Sequence, residues 1–391
     1  MRVGVIGGGV SGVISAIELS KKGHQVSLFE KNDRCLKKLL ITGNGRCNFS
    51  NSSIQRNNFH GDKKFIDSIF SDDFTKARDY IIDLGIIPYT DERNRIYPMS
   101  LQAQSVVEVL LRELDNSNVE VYFRSEIISI DKNKKFILKT NDNSYEFDKI
   151  VFSSGSMSYP NMGTDGTQYK LVEKLGHTKT KLYPGIGPLV TKIPFNRELK
   201  GLKVTAKITA MDKINTGDLL FTENGISGNA IFELSSYILR NKINKISIDF
   251  LPEIDADSLK EIIKNRLNNH ASDDPKWILN GIIHKRLYKV LFKILNIKNT
   301  GEINVDLLVK LIKSFEVENI QAGSWALSQI TVGGINANEI DLNLQSKIVD
   351  GLYFTGEVID VDGDCGGYNL TWAIYSALLV SDKLRWICKY Y

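Results

Sequence analysis

With 391 residues, 42% of them hydrophobic and 25% charged, the composition is that of an ordinary soluble globular chain of two or three units. A net charge of +4 gives no bulk argument for nucleic acid or membrane, and no window holds the ~18 uninterrupted apolar residues of a membrane helix. Four cysteines (Cys35, Cys47, Cys365, Cys388) have no metal-ligand spacing and are too few for a disulfide framework, which makes a reducing, cytoplasmic setting the default.

The first element is Arg2-Val3-Gly4-Val5-Ile6, a short buried strand that breaks into glycine after Ile6 and so does not read as a secretory signal. Gly7, Gly9 and Gly12 fill the G-x-G-x-x-G spacing, and Val13 to Leu19 starts a helix at once. In that pattern one glycine makes the turn, one lets backbone approach a pyrophosphate, and one lets helix pack on strand. The phosphates sit on unpaired N–H groups at the helix N-terminus, beside Ser11. A second strand, Gln25 to Phe29, ends in Glu30, near the ~20-residue offset of an acid that binds a ribose hydroxyl. The stretch is a dinucleotide site.

Lys31 to Lys38 is basic and directly follows that acid, where it can neutralise a pyrophosphate. In Thr42-Gly43-Asn44-Gly45-Arg46-Cys47-Asn48 the glycines permit close backbone approach, and Arg46 and Asn48 supply donors. Cys47 has Arg46 beside it but no neighbouring histidine, so packing or cofactor contact is expected of it rather than thiolate chemistry. Phe59 to Leu84 reads as one or two surface helices, and Ala103 to Leu114 as a helix with Val106, Val107, Leu110, Leu111 and Leu114 on one face. Strands Val119–Phe123, Ile127–Asp131, Phe136–Thr140 and Tyr145–Phe147 read as a meander on the main sheet, followed by a buried strand, Lys149 to Phe152, that ends in Ser153-Ser154-Gly155.

From about Gly185 to Gln329 the pattern becomes β-rich. Leu189–Ile193, Leu202–Ala210, Leu219–Thr222 and Ile246–Phe250 read as strands, and Asp257–Leu267 and Trp277–Leu295 as helices. The stretch Gly217 to Gly228 places its glycines where turns are expected. Residues 276–298 hold no acid. Lys285, Lys289 and Lys293 recur every four residues opposite Ile283, Leu287, Leu291 and Ile294, giving a basic face that is either a solvated stripe or an RNA contact. Chain order then returns to the nucleotide pattern: Gly351 to Glu357 is a strand running into an acid, and Gly366-Gly367-Tyr368-Asn369 opens a helix to Leu384. Asp360, Asp362 and Asp364 alternate, but the EF-hand spacing fails. This second helix N-terminus is suited to the negative charge of a reduced isoalloxazine ring. None of the five histidines (His24, His60, His177, His270, His284) lies in a motif, and a structural role is expected of His177.

Taken together, these motifs resemble a bacterial flavoprotein family known as BaiN-like, YhiN-like or aminoacetone oxidase family FAD-binding enzymes. The resemblance covers essentially the whole chain. It rests on the GGGxxG start with Glu30, Thr42 to Asn48, Ser158-Tyr159-Pro160 before Gly163, and Leu220-Phe221-Thr222 with Gly225 to Gly228. Gln329 to Gly334 and Gly356 to Gly363 with Gly366 to Asn369 complete it. Two departures are Ser153-Ser154-Gly155 in place of Ala-Thr-Gly, and Asn44 where glycine is common.

The resemblance implies an α/β fold: a Rossmann-like FAD-binding domain built from both chain ends, with an inserted antiparallel β-barrel-like domain and a small helical subdomain. The boundaries expected are 1–187 and 331–391 for the FAD-binding domain, 188–254 and 318–330 for the β-rich insert, and 255–317 for the helical subdomain. Cofactor contacts are expected at Gly7, Gly9, Ser11, Gly12, Glu30, Lys38, Arg46, Cys47, Asn48, Ile127, Gly155, Glu357, Gly367, Tyr368 and Asn369. Lys38 and Arg46 would lie along the phosphates or ribityl chain, Ile127 by the adenine, Glu357 at a ribityl hydroxyl, and residues 367–369 at the ring. No second G-x-G-x-x-G follows a strand, so reduction by NAD(P)H would need transient docking near the flavin, or the substrate itself would be the reductant. The activity implied is FAD-dependent oxidoreduction of a small-molecule substrate. Family members credited with reducing a ribosomal RNA uridine, reducing steroid acids or oxidising a small amine leave the substrate open, and a flavin-binding sensor is the non-enzymatic alternative.

Overall fold

The computed structural model describes residues 1–70, 75–269 and 274–384; His270 and Cys388 lie outside the described residues. The chain forms two compact units, one from Met1–Leu182 joined by the chain from Gln329 onward, the other from Tyr183–Ser328.

The first unit is organised on five parallel strands: β1 (Arg2–Ile6), β2 (Gln25–Phe29), β3 (Val119–Tyr122), β4 (Lys149–Phe152) and β5 (Leu352–Phe354), in the order β5-β4-β1-β2-β3. Val3 stands opposite Val26 on one side and Lys149 on the other, and Val151 opposite Tyr353. Val3, Val5, Leu28, Ile150, Val151 and Phe354 are fully buried, as expected of short apolar runs in a parallel sheet covered on both faces. The helix α1 (Val10–Lys21) follows β1 and buries Val13, Ile14, Ile17 and Leu19. After β1 the chain moves outward through β2 and β3, then returns to the other side of β1 as β4. That reversal opens a crevice at the carboxyl ends of β1 and β4, the place where open α/β sheets bind ligands.

Two details differ from the sequence pattern. Val119–Tyr122 joins the main sheet, whereas Ser129–Lys132, Phe136–Lys139 and Ser144–Phe147 form an antiparallel sheet of their own. The stretch read as surface helices begins with a strand, Phe59–Gly61, that pairs with Val361–Gly363. Its helices, Lys63–Ile69 and Thr75–Asp83, bury Phe65, Ile66, Ile69, Ala77 and Ile81, so their apolar stripe faces the core.

His177 has a structural position. Its Nδ1 lies 3.0 Å from Glu339 Oε2 and its Nε2 2.8 Å from Ser346 Oγ, and its side chain has no solvent exposure. Burial holds its pKa below the ordinary value, although the Glu339 carboxylate opposes the shift. A base depressed in the folded state takes up its proton first in the unfolded chain. The stability it gives is therefore complete above the ordinary histidine value of about 6.5 and is lost as pH falls toward the folded value. His24, depressed by burial as well, has the same sign. His177→Gln is expected to cost about 1 kcal/mol at pH 7 and to shallow the acid side of a stability–pH curve measured by urea unfolding. An unchanged slope would remove His177 from that account.

The second unit is a seven-stranded antiparallel sheet in the order Phe315–Glu318, Lys245–Asp249, Lys203–Ala210, Lys213–Phe221, Gly225–Ser227, Leu189–Val190, Gln321–Ala322. Its two edge strands are consecutive in the chain and only two residues apart, so the sheet curls. No ladder joins those edges among the described residues, and the sheet is open. Gly217 sits inside a strand rather than at a turn, where a Cβ would lie 2.6 Å from Asn229 Oδ1. Trp277–Leu295 is two helices, Lys276–Leu279 and Lys285–Ile294, parted at Gly281 with φ +77°. Helical Leu259, Ile263, Leu291 and Ile312 share one hydrophobic cluster with sheet residues Ile208, Phe221 and Ile248. No helix among the described residues is long and apolar enough to cross a membrane.

Candidate functional site

Each strand of the parallel sheet delivers an expected site residue within five positions of its carboxyl end: Gly7 and Gly9 after β1, Glu30 after β2, Ile127 after β3, Gly155 after β4 and Glu357 after β5. Gly7 has φ +104°, and a Cβ there would lie 2.4 Å from Ser153 O; a Cβ on Gly12 would lie 1.9 Å from Gly7 O. Both glycines are required by the protein itself. Gly9 is not. Its backbone is extended (φ −74°, ψ −178°), and nothing lies within 4 Å of where a Cβ would stand. It is the N-cap of α1 and gives no side-chain cap, so the first-turn N–H groups take no side-chain partner from it. Main-chain N–H groups at a helix N-terminus are the kind of group that binds an anion.

Glu30 is buried and fixed. Its Oε2 accepts from Gly8 N–H at 2.8 Å, and its Oε1 accepts from the main-chain and side-chain nitrogens of Asn32, each at 2.7 Å. Cys35 Sγ backs this loop; burial, helped by the Glu30 charge, pushes the thiol up to about 12. Ile127 is buried in a segment tied to Glu30 through Ser125 N–H, which donates to Glu30 O at 2.9 Å. Gly155 has φ +72°, with Thr164 packed against it.

Lys38 and Glu357, separated by 319 positions in sequence, are bonded to each other, Nζ to Oε2 at 2.8 Å. Two residues absent from the sequence expectation complete the cluster. Ser158 Oγ accepts from Lys38 at 2.6 Å and donates to Glu357 Oε1 at 3.0 Å, and Thr331 N–H donates to the same Oε1 at 2.7 Å. Their only signal in the sequence was membership of the Ser-Tyr-Pro and Gln-Ile-Thr-Val-Gly-Gly stretches.

The Gly43–Asn48 loop meets the helix Tyr368–Lys383 through Asn48. With its amide satisfied on both sides, Asn48 donates to Ser50 O (2.8 Å) and Ile96 O (3.2 Å) and accepts from Gly367 N–H (3.0 Å). Asn44, standing where glycine is common, adopts φ +59°, a left-handed conformation that asparagine tolerates better than most residues. Arg46 lies over the Tyr97 ring, 5.0 Å from its centroid. Cys47 is fully buried, and burial pushes its thiol up to about 12. At neutral pH it is protonated and shielded. Tyr368 packs edge-on to Phe59, and Asn369 Oδ1 and Nδ2 bond Gly363 N–H and O, each at 2.8 Å. Both side chains thus serve the protein, and the helix offers its main-chain N–H groups at this end. Asp364 bonds His60 Nε2 at 2.7 Å and Asn58 Nδ2 at 3.0 Å, and among the described residues no group of His, Cys, Asp and Glu could hold a metal ion.

In the second unit two lysines of the acid-free segment meet acids outside it. Lys293 pairs with Glu198 at 2.7 Å, Lys276 pairs with Asp274 at 3.0 Å, and Arg286 bonds the main-chain oxygens of Glu198 and Lys200. The basic face carries less free charge than its sequence suggests.

A family model described as "HI0933-like protein Rossmann domain" matches residues 1–383. The chain is 31% identical to a 3-dehydro-bile acid delta(4,6)-reductase of Clostridium scindens, over 95% of this chain and 96% of that one. It is 29% identical to a ribosomal RNA dihydrouridine synthase of Escherichia coli, over 97% of each. Among solved structures, the open conformation of a flavocytochrome c3 fumarate reductase superposes with a TM-score of 0.49 at 15% identity, covering 97% of this chain and 77% of that one.

Proposed function

The chain belongs to the HI0933-like Rossmann family and is an FAD-dependent oxidoreductase, and from that premise we propose how the cofactor is held and what it serves. The observation that carries the reading is Gly9, a residue that neither its backbone angles nor its packing requires, capping an N-terminus open to an anion. The pyrophosphate rests on the first turn of α1 beside Ser11, and Glu30 takes the adenosine ribose. Ile127 and Gly155 border the adenine side and the crevice. Lys38 and Glu357 lie along the phosphates and ribityl chain. The ring faces the N-terminus of Tyr368–Lys383, whose N–H groups and dipole favour negative charge there. When bound, FAD supplies hydride or electron transfer between a reductant and the substrate.

NAD(P)H, docking transiently, is the proposed reductant, and a small molecule is the proposed substrate. Two full-length relatives are named a delta(4,6)-reductase and a dihydrouridine synthase, which supports reduction as the direction of the reaction. On the Lys285–Ile294 helix Lys293 is paired with Glu198, so one of the three lysines of the basic face is already neutralised, which lowers the support for ribosomal RNA. Purified protein is expected to be yellow with about one FAD per chain, and its flavin absorbance is expected to bleach on anaerobic mixing with NADPH or NADH. Protein that neither holds nor takes up FAD would overturn the cofactor assignment. A flavin that neither nucleotide bleaches would overturn the proposed reductant. In the same assay Cys47→Ser is expected to keep the reduction rate within about threefold, because a protonated, buried thiol has no part in hydride transfer. A hundredfold loss, about 2.7 kcal/mol of barrier, would make the thiol a participant.

A further inference from the structure

The backbone that carries Glu357 into the site is held from behind by two side chains of the helix Tyr368–Lys383. Gly356 N–H donates to Ser376 Oγ at 2.9 Å, and Trp372 Nε1–H donates to Gly356 O at 3.1 Å. Both side chains are buried, and four positions apart they share one face of the helix. The Ser376 hydroxyl donates its own proton to Ala373 O at 3.2 Å, which leaves its lone pairs for Gly356. On the other side Gly356 meets α1. Its φ is +74°, and a Cβ there would lie 2.6 Å from Ser11 Oγ.

Glycine rotates more freely than any other residue, so the direction of Glu357 depends on what fixes Gly356. The N–H belongs to the peptide before its Cα and the C=O to the peptide after it. Ser376 and Trp372 together therefore fix both of its rotatable angles. Among the described residues the Glu357 carboxylate has three donors: Lys38 Nζ on Oε2, with Ser158 Oγ and Thr331 N–H on Oε1. A carboxylate offers about four acceptor sites, two on each oxygen. Two donors fill Oε1, and Oε2 keeps one site.

We propose that Trp372 and Ser376 are positioning residues for the flavin half of the cofactor, acting through Glu357, whose remaining acceptor site takes a ribityl hydroxyl. This rests on the reading that lays the ribityl chain at Glu357. The indole N–H and the serine hydroxyl are both occupied by Gly356, so the pair works through that backbone and not on the ligand. Losing either bond leaves a buried main-chain group unpaired and frees Gly356 to turn. The adenosine half is held independently, since Glu30 is fixed by Gly8 and Asn32.

The test is calorimetric titration of FAD-free protein with FAD and, separately, with ADP, which has no ribityl chain. Trp372→Phe keeps an aromatic ring and removes the N–H. Ser376→Ala removes only a hydroxyl, at a helical position that alanine suits, and decides the matter alone if the indole is needed for folding. Each variant is expected to bind FAD about tenfold more weakly, about 1.4 kcal/mol, with ADP affinity within about twofold of the parent. In a Glu357→Gln background neither substitution is expected to weaken FAD further, because the group through which both act is already altered. ADP weakened as much as FAD would make the pair a support of the whole unit and overturn the proposal. So would a loss of FAD affinity that persists undiminished with Glu357→Gln, or FAD affinity indifferent to both substitutions. Parent protein that binds FAD no more tightly than ADP would sink the placement of the ribityl chain at Glu357, and the proposal with it. Parent protein that takes up neither would sink the cofactor reading itself.

Discussion

Replacing Gly9 by aspartate is expected to weaken FAD binding by about a hundredfold or more, about 2.7 kcal/mol, in a protein that still folds. The new Cβ meets no atom within 4 Å and the backbone at Gly9 is one any residue adopts, so the substitution carries no steric or conformational penalty. Aspartate is also a better N-cap than glycine, by about a few tenths of a kcal/mol, and its charge suits the positive end of α1. The FAD-free variant is therefore expected to be as stable as the parent or slightly more so. Bound FAD reverses the sign. The carboxylate would occupy the space assigned to a pyrophosphate, and two like charges about 4 Å apart repel by about 4 kcal/mol at an effective dielectric near 20. Gly12→Ala is the contrasting control: its Cβ would lie 1.9 Å from Gly7 O, so it damages the loop itself and lowers stability along with affinity. Flavin titration of FAD-free protein measures the affinities, and urea unfolding measures the stabilities. A Gly9→Asp protein that holds FAD as tightly as the parent would mean that the open space over α1 serves something else.

The difference between Gly9 and Gly12 also marks what a sequence can tell. The spacing of Gly7, Gly9 and Gly12 locates the loop, and the short apolar runs around Val5, Leu28 and Val151 locate three strands of the parallel sheet, because both follow from local geometry. That Gly7 and Gly12 are required by the protein's own packing and Gly9 is not is visible only once Ser153 and Gly7 O are in place. The helix Asn229–Arg240 went unread for a related reason. Its buried face mixes Ile231, Leu234 and Ile238 with Ser235 and Ser236, whose hydroxyls accept from Gly187 and Ile186 N–H, so the apolar period is interrupted by residues paired through tertiary contacts. Trp277–Leu295 failed in the opposite way: the apolar period runs on through Gly281, but the chain turns there. In the site, Asn48 read as a donor beside glycine and Asn369 as a contact of the ring, yet both amides bond neighbouring backbone. Tyr97 carries no signal of its own in the sequence, and only the structure sets two arginines on its ring.

Glu357→Ala is expected to cost about 3 kcal/mol, the low end of the range for stranding one partner of a buried ion pair, since Lys38 and Glu357 keep side-chain exposures of 24% and 22%. Lys38→Met is expected to cost less, about 1 kcal/mol, and the asymmetry follows from the partners that remain. Without Lys38, the Glu357 carboxylate still accepts from Ser158 Oγ and Thr331 N–H, two donors on Oε1. Without Glu357, the Lys38 ammonium keeps only the Ser158 hydroxyl, and Thr331 N–H loses the acceptor it had at 2.7 Å. The double variant is expected to be no less stable than Glu357→Ala alone, because removing the stranded cation cancels part of the damage; the costs then fail to add by about 1 kcal/mol or more. Urea unfolding of the four FAD-free proteins closes the cycle. The coupling matters because the cluster joins residue 38, residue 158, residue 331 and residue 357, parts of the chain that lie on either side of the second unit in sequence. If the two costs simply add, the four groups act independently, and the crevice beyond β5 is held by packing of the sheet rather than by this charge.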